Sequence, residues 1–328
     1  MKRTNAIVFI ADEIHSKGLE LLENNGFNVV KIYGYKNSEL IRFIANFNSL
    51  KKLRKNPALI IRSVRTFRKK DINSLNKLTD VKLLCTASSG YDNIDISEAA
   101  KRGIDVLNVP EGNFLAAAEH TIAMMLAIIK NIIPADSAMK SGMFDYKRYV
   151  NTELGGKTIG IIGVGHVGSQ VAAFCRAFGM TILGNDIKKD LPAKYKWIKF
   201  VSKEKLLAES DFVTVHTPLD RSTKDMISGK RLRMVKKDCI IINCARGGIV
   251  SEKALIQALR SKRIRYAGLD VFENEPYFDN AVCRTPNLLL TPHLAGKTAE
   301  SKIRISTQLA ESIIRHYSGR KSTKVASH

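Results

Sequence analysis

Two hydrophobic patterns alternate along the chain. Short, continuous runs of β-branched and other apolar residues are followed by stretches in which apolar residues return every three or four positions. AIVFIA opens the series, and EIHSKGLELLENNG follows with helical spacing that stops at Gly26. NVVKIY, the helical SELIRFIANF, ALIIRSV, VKLLCTA and DVLNV come next. A second series starts at Lys157 with KTIGIIG, the helical VGSQVAAFCRAFG and MTILGND, and continues through FVTVH, CIIINCA, YAGLDVF and NLLLTPH. Continuous apolar runs separated by helical spacing predict strands buried on both faces, in parallel sheets covered by helices. One long helix is expected over residues 116–140. ESKIRISTQLAESIIRHYSG predicts an amphipathic helix near the end of the chain. The pattern therefore predicts an α/β protein of two units, with that last helix able to return to the first.

Composition narrows the classes. A length of 328 residues suits two domains, and 45% hydrophobic with 26% charged residues is ordinary for a globular chain. The most apolar helical run, FLAAAEHTIAMMLAII, is interrupted by Glu119 and His120 and falls short of the roughly 18 uncharged residues that span a bilayer. The apolar start is short and runs into Asp12 and Glu13, so it reads as a first strand and not as a signal peptide. Cysteines stand at 85, 175, 239, 244 and 283 without a CxxC pair. They predict reduced, mostly buried thiols in a cytoplasmic protein and no structural metal.

The net charge of +22 changes the picture only in part. It divides as +8 over residues 1–110, +10 over 111–297 and +4 over 298–328. A spread excess favours anionic small molecules and weak, sequence-independent attraction to nucleic acid, not a reader of bases. No specific nucleic-acid partner and no membrane partner are expected.

The glycine-rich loop is more informative. Gly163, Gly165 and Gly168 form G-x-G-x-x-G directly after the apolar strand TIGII and before a helical pattern. The first glycine allows a tight turn, the second lets a pyrophosphate approach the backbone, and the third lets helix and strand pack closely. The helix start then offers N–H groups and a positive dipole end to the phosphates. Asp186 stands 18 residues past Gly168 at the end of the next strand, where an acid accepts the adenosine ribose hydroxyls. An acid there repels a 2′-phosphate, so NAD is expected over NADP. Lys188 and Lys189 weaken that preference.

Three downstream residues fall at predicted strand ends, where ligands of open α/β sheets bind. Arg246 follows CIIINCA and precedes Gly247 and Gly248, a place suited to bidentate carboxylate binding or simply to a surface arginine. Glu275 lies in LDVFENEP, and His293 in LLLTPHLAG. A glutamate beside a histidine would fix its tautomer and favour its protonated form. Spacing by itself leaves that pairing open. Together the three could hold a carboxylate and move a hydroxyl proton.

NCARGGIV, GLDVFENEP and TPHLAG, in that order after GVGHVG, resemble the D-isomer-specific 2-hydroxyacid dehydrogenase family. SSGYDNIDI, VPEGNFLAAAEHT, NTELGGKTIGIIG and VTVHTPLDRSTKDMI extend the likeness over roughly residues 88–301. The resemblance implies two Rossmann-like domains with parallel sheets. An NAD-binding domain at 111–297 would be inserted into a flavodoxin-like substrate domain made of 1–110 and 298–328. It implies that His293 is the acid/base, Glu275 its partner and Arg246 the carboxylate and carbonyl anchor. His166 and Val167 would lie at the pyrophosphate and Asp186 at the ribose. Ser89, Thr217, Cys244 and Ala245 would line the NAD, and Asp270 would meet the nicotinamide carboxamide. Main-chain N–H groups at Ser89 and Gly90 would help to hold the substrate carboxylate. A homodimer through the cofactor domain is also expected, because the 116–140 helix is apolar beyond what one face needs.

Within the family, NTELGGKTIGIIG, VHTPL, INCARGGIV and Asn113 in PEGN resemble the branch acting on D-3-phosphoglycerate, a step toward serine. IIRSVRTF puts Arg62 and Ser63 where that branch has an Arg-Ser pair near the substrate, with Arg65 as a further charge. The sequence departs from some members in lacking an arginine before SSG, where it reads LLCTASSG. Ending at His328, the chain is expected to lack the regulatory domains of long members. Glyoxylate, hydroxypyruvate and lactate-type substrates remain alternatives, as does a corepressor-like, NAD-sensing binding protein.

Overall fold

The computed structural model describes residues 6–50, 56–188, 195–276 and 280–320. The chain folds into two compact units, one of Met1–Asn113 with Lys297–His328 and a second of Phe114–Gly296.

In the first unit five strands form one sheet: β1 (Ile7–Ile10), β2 (Asn28–Lys31), β3 (Ala58–Ile61), β4 (Leu83–Thr86) and β5 (Asp105–Leu107). Their order is β2-β1-β3-β4-β5 and every pairing is parallel, the flavodoxin-like order. β1, β3 and β4 are buried at all four positions, which is why their sequences are continuously apolar. Alternation along each strand serves two layers. Ile7, Phe9, Leu59 and Ile61 join Leu40 and Ile44 on one face. Val8, Ile10, Ala58 and Ile60 join Leu22, Leu309 and Ile313 on the other. The last two belong to the helix Ala299–Tyr317, whose start is capped by the Thr298 hydroxyl accepting from Ser301 N at 3.0 Å. This helix packs against the helix Ser16–Asn24 so closely that a Cβ at Gly18 would lie 2.6 Å from the Ser306 carbonyl oxygen.

The second unit holds a seven-stranded sheet: β6 (Thr158–Ile162), β7 (Thr181–Asn185), β8 (Lys199–Phe200), β9 (Phe212–Val215), β10 (Ile240–Asn243), β11 (Tyr266–Leu269) and β12 (Leu288–Leu290). The order is β12-β11-β10-β9-β6-β7-β8, again with every pairing parallel. The chain reverses direction of build between β6 and β9, the switch point of a doubly wound fold. β8, two exposed residues long, carries too little pattern to be read from sequence.

The long helix expected over 116–140 is two helices, Phe114–Ile129 and Ile132–Lys140, bent by 60°. Asn131 between them has φ 51°, a left-handed conformation that asparagine tolerates. Pro134 then falls in the first turn of the new helix, where its missing N–H breaks no bond. Phe114–Ile129 is apolar around most of its circumference because it is buried inside its own unit, against the helix His166–Ala177 and against β10 and β11. That packing accounts for much of its apolar composition. Among the described residues no single helix is long and apolar enough to cross a membrane.

Candidate active site

The glycine loop takes the form its three roles require. Gly163 has φ 88°, and a Cβ there would lie 2.6 Å from the His216 carbonyl oxygen. At Gly165 a Cβ would meet nothing within 4 Å, so the backbone faces open space where a phosphate could approach. At Gly168 a Cβ would fall 1.9 Å from the Gly163 carbonyl oxygen, because the helix start presses on the loop. His166 and Val167 are the first residues of the helix His166–Ala177. The exposed His166 ring faces Phe114, with centroids 6.1 Å apart.

Asp186 follows β7 and ties the loop in place. One carboxylate oxygen accepts from Val164 N at 2.7 Å and the other from Lys188 N at 2.8 Å. Lys189 lies outside the described residues. Thr217, just past β9, touches the position of a Gly163 Cβ, and its buried hydroxyl has no hydrogen-bond partner among the described residues. A buried hydroxyl without a partner is costly unless something else bonds it. Together with the open face at Gly165, it fits a dinucleotide backbone laid on this loop. His216 is held neutral, its pKa pushed down to about 3 by burial, with Thr214 Oγ1 3.0 Å from its ring.

The second cluster forms where β10, β11 and β12 end side by side, with Asn243 opposite Leu269 and Leu269 opposite Leu290. Arg246 sits on the turn after β10. That turn is built by the buried Asn243, whose side chain accepts from Ala245 N at 3.0 Å and donates to the Arg246 carbonyl at 2.9 Å. Gly247 is there because a Cβ would collide with the Phe272 carbonyl oxygen, so this turn and the 272–275 loop meet. Cys244 points inward onto Met124 (3.5 Å between sulfurs), and burial pushes its thiol up to about 12. Ala245 accepts from the Arg246 guanidinium at 2.7 Å.

His293 and Glu275 meet: Nδ1 and Oε2 are 2.7 Å apart. Both side chains are partly open to solvent, at 43% and 36%. Partial burial alone would raise the Glu275 pKa. The hydrogen bonds from His293 and from Phe272 N (3.1 Å) outweigh it and hold the carboxyl below its ordinary value. His293 has φ 52°, left-handed for a non-glycine residue, a strain that the surroundings must impose.

Asp270 imposes it. Its main-chain carbonyl accepts from His293 N at 2.8 Å. Its buried carboxylate accepts from Leu294 N (2.7 Å), Ala295 N (2.9 Å) and Thr291 Oγ1 (2.6 Å). His120 completes the cluster, 3.1 Å from Thr291 Oγ1 and 3.5 Å from Asp270. Burial would raise the Asp270 pKa, and these hydrogen bonds bring it down instead. The family likeness gave Asp270 a nicotinamide contact. In the structure its carboxylate oxygens already hold the 291–295 loop. This use of Asp270 was not legible beforehand, since its partners stand 21 to 25 residues further along the chain.

In the first unit, Ser89 Oγ donates to Asn113 Oδ1 at 2.7 Å, and the Ser89 carbonyl accepts from Asn108 at 2.6 Å. Gly90 accepts from Ser88 Oγ. Arg62 and Ser63 follow β3, half-buried and exposed respectively. Arg65 is not available as a second charge for a ligand, because its guanidinium is bonded to Asp12, Asn37 and the Tyr35 carbonyl.

The glycine loop and the histidine–glutamate pair belong to one doubly wound unit, and comparison with known proteins gives its family. The chain belongs to the D-isomer specific 2-hydroxyacid dehydrogenase family, whose NAD binding domain matches residues 122–295. A D-3-phosphoglycerate dehydrogenase of Bacillus subtilis is 36% identical over 315 residues, 95% of this chain and 57% of that protein. The chain thus spans a little over half the length of the curated relatives it matches. Among solved structures, a glyoxylate reductase from Paecilomyes thermophila superposes with a TM-score of 0.87 at 28% identity, over 99% of both chains. An acyclic imino acid reductase in complex with NADPH and D-Arg gives a TM-score of 0.86 at 27% identity, over 98% of this chain and 100% of that one.

Proposed function

We propose that the protein oxidises a D-2-hydroxy acid to the 2-oxo acid with NAD, and that the acid is D-3-phosphoglycerate. The observation that carries the chemistry is the 2.7 Å contact between His293 and Glu275 at the strand ends of the unit with the glycine loop. Bound NAD supplies the acceptor for the C2 hydride. Because Nδ1 faces Glu275, Nε2 of His293 is the atom left to take the hydroxyl proton during oxidation and to return it during reduction. Glu275 fixes that tautomer and balances the imidazolium charge. Arg246 holds the substrate carboxylate, which anchors C2 and its oxygen before the proton moves. Asp186 accepts the ribose hydroxyls, and Thr217 bonds the dinucleotide backbone.

The phosphoglycerate reading rests on Arg62 and Ser63, on the spread positive charge and on relatives of that name. The competing 2-oxo acids are those of the structural neighbours and their kin. A steady-state panel of phosphohydroxypyruvate, hydroxypyruvate, glyoxylate and pyruvate with NADH tests the reading. The highest kcat/KM is expected for phosphohydroxypyruvate, and preference for glyoxylate or pyruvate would reject it. NADH binding without turnover of any of the four would point to a binding protein instead.

The reading includes a homodimer and a cytoplasmic setting. Supporting the first, exposed apolar side chains gather between residues 132 and 150: Ile132, Ile133, Met139, Met143, Phe144 and Val150. Light scattering should give twice the chain mass, and Phe144→Glu should reduce it. Supporting the second, Cys85, Cys175, Cys239 and Cys244 are buried free thiols.

A further inference from the structure

The loop that follows β3 is tied down from three sides. β1 and β3 are paired in parallel, with Ile10 opposite Ile60, so Asp12 emerges beside Arg62. Asp12 Oδ2 accepts from Arg62 N at 2.9 Å. The same carboxylate is gripped by Arg65, with Nε 3.1 Å from both oxygens and Nη2 2.9 Å from Oδ1. Arg65 Nη1 then reaches the far side of β1 and bonds the Tyr35 carbonyl (2.9 Å) and Asn37 Oδ1 (3.0 Å), both beyond β2. From the opposite side, beyond β4, the buried Asn93 donates to the carbonyls of Arg65 (2.8 Å) and Arg62 (3.3 Å). The Asp12 and Arg65 side chains are only 14% and 13% exposed.

These bonds take up the backbone of the loop and the charge of Arg65. They leave out one cation: among the described residues the Arg62 guanidinium has no hydrogen bond or ion pair, while its own N–H and carbonyl are both fixed. A bidentate, nearly buried ion pair is well suited to hold a turn in a single conformation, since the arginine fork allows one geometry where a lysine allows many.

We propose that Asp12 and Arg65 are positioning residues for phosphate recognition, fixing the Arg62–Ser63 turn so that the Arg62 guanidinium is presented to the phosphate of a phosphorylated 2-hydroxy acid. This rests on the phosphoglycerate reading and deepens it. Neither side chain touches the substrate. Their effect is on the entropy of the turn: a loop already ordered gives up less freedom when the anion binds.

The test compares phosphohydroxypyruvate with hydroxypyruvate, which lacks the phosphate, in the wild type, Asp12→Asn, Arg65→Ala and Arg65→Lys. Asp12→Asn keeps an acceptor for Arg62 N but loses the ion pair. We expect Asp12→Asn and Arg65→Ala each to raise KM for phosphohydroxypyruvate at least tenfold, with kcat within twofold. KM for hydroxypyruvate should stay within twofold, which also shows that the variants are folded. Arg65→Lys should restore only part of the affinity, and the double variant should be no worse than either single one. Equal fold-changes for both substrates, or no change for either, would overturn the clamp while leaving the phosphoglycerate reading in place. A wild type that does not prefer phosphohydroxypyruvate would overturn both.

Discussion

Gly165 and Gly168 lie on the same loop, yet their surroundings give opposite consequences when each is changed to alanine. Gly165 has φ −78° and ψ −152°, outside the left-handed region that only glycine adopts readily, and a Cβ there meets nothing within 4 Å. Gly165→Ala should therefore fold with a stability within about 0.5 kcal/mol of wild type, or slightly above it through the stiffer unfolded chain. Its methyl group would instead stand where the pyrophosphate approaches. Losing one or two hydrogen bonds to a charged group, at about 1.5–3 kcal/mol each, weakens NADH binding roughly 10- to 10⁴-fold. Gly168→Ala differs because its Cβ would fall 1.9 Å from the Gly163 carbonyl oxygen and 3.0 Å from its carbon. Both are backbone atoms that no rotamer change can move. The helix must shift away from the loop, an overpacking cost of about 1–3 kcal/mol or more, and binding falls with it. Thermal unfolding and NADH fluorescence titration of the two variants separate the effects. If Gly165→Ala binds NADH within twofold of wild type, or loses as much stability as Gly168→Ala, the placement of the pyrophosphate is refuted.

Other consequences follow from the catalytic cluster and its supports. His293→Ala should retain NADH binding and lose about 10²- to 10⁴-fold in turnover, the range for a general acid–base; near-normal turnover would remove it from that role. Glu275 is held below the ordinary carboxylate range, so whatever stability its pair with His293 contributes is present above that range and is lost as pH falls through the depressed value. The stability gap between wild type and Glu275→Gln should accordingly narrow as pH falls through that depressed value; a gap that widens there would contradict the sign. Asp270→Ala strands the N–H groups of Leu294 and Ala295 and the Thr291 hydroxyl, at about 1–3 kcal/mol for each group that water cannot reach, and frees the His293 loop. It should lower both the unfolding midpoint and kcat, and a variant with full kcat would deny Asp270 its positioning role. Asp186→Ala should narrow the ratio of kcat/KM between NAD and NADP, and an unchanged ratio would contradict its ribose contact.

The sequence by itself determined the buried parallel strands, the glycine loop and the three chemical side chains at strand ends, because each is written in local order. A strand buried on both faces needs an unbroken apolar run, and a dinucleotide turn needs its glycines at fixed offsets. The tertiary structure decided what depends on residues distant in the chain. It broke the expected 116–140 helix at Asn131, where a left-handed residue and Pro134 begin a new helix, and it buried the apolar excess of the first half internally. It removed Arg65 from the candidate ligands, since Asp12, 53 positions earlier, already neutralises it. It also gave Asp270 the task of holding the loop that carries His293. Motif spacing selected the histidine, but its orientation comes from hydrogen bonds that span 18 to 25 residues, and only the register of β10, β11 and β12 brings those partners together.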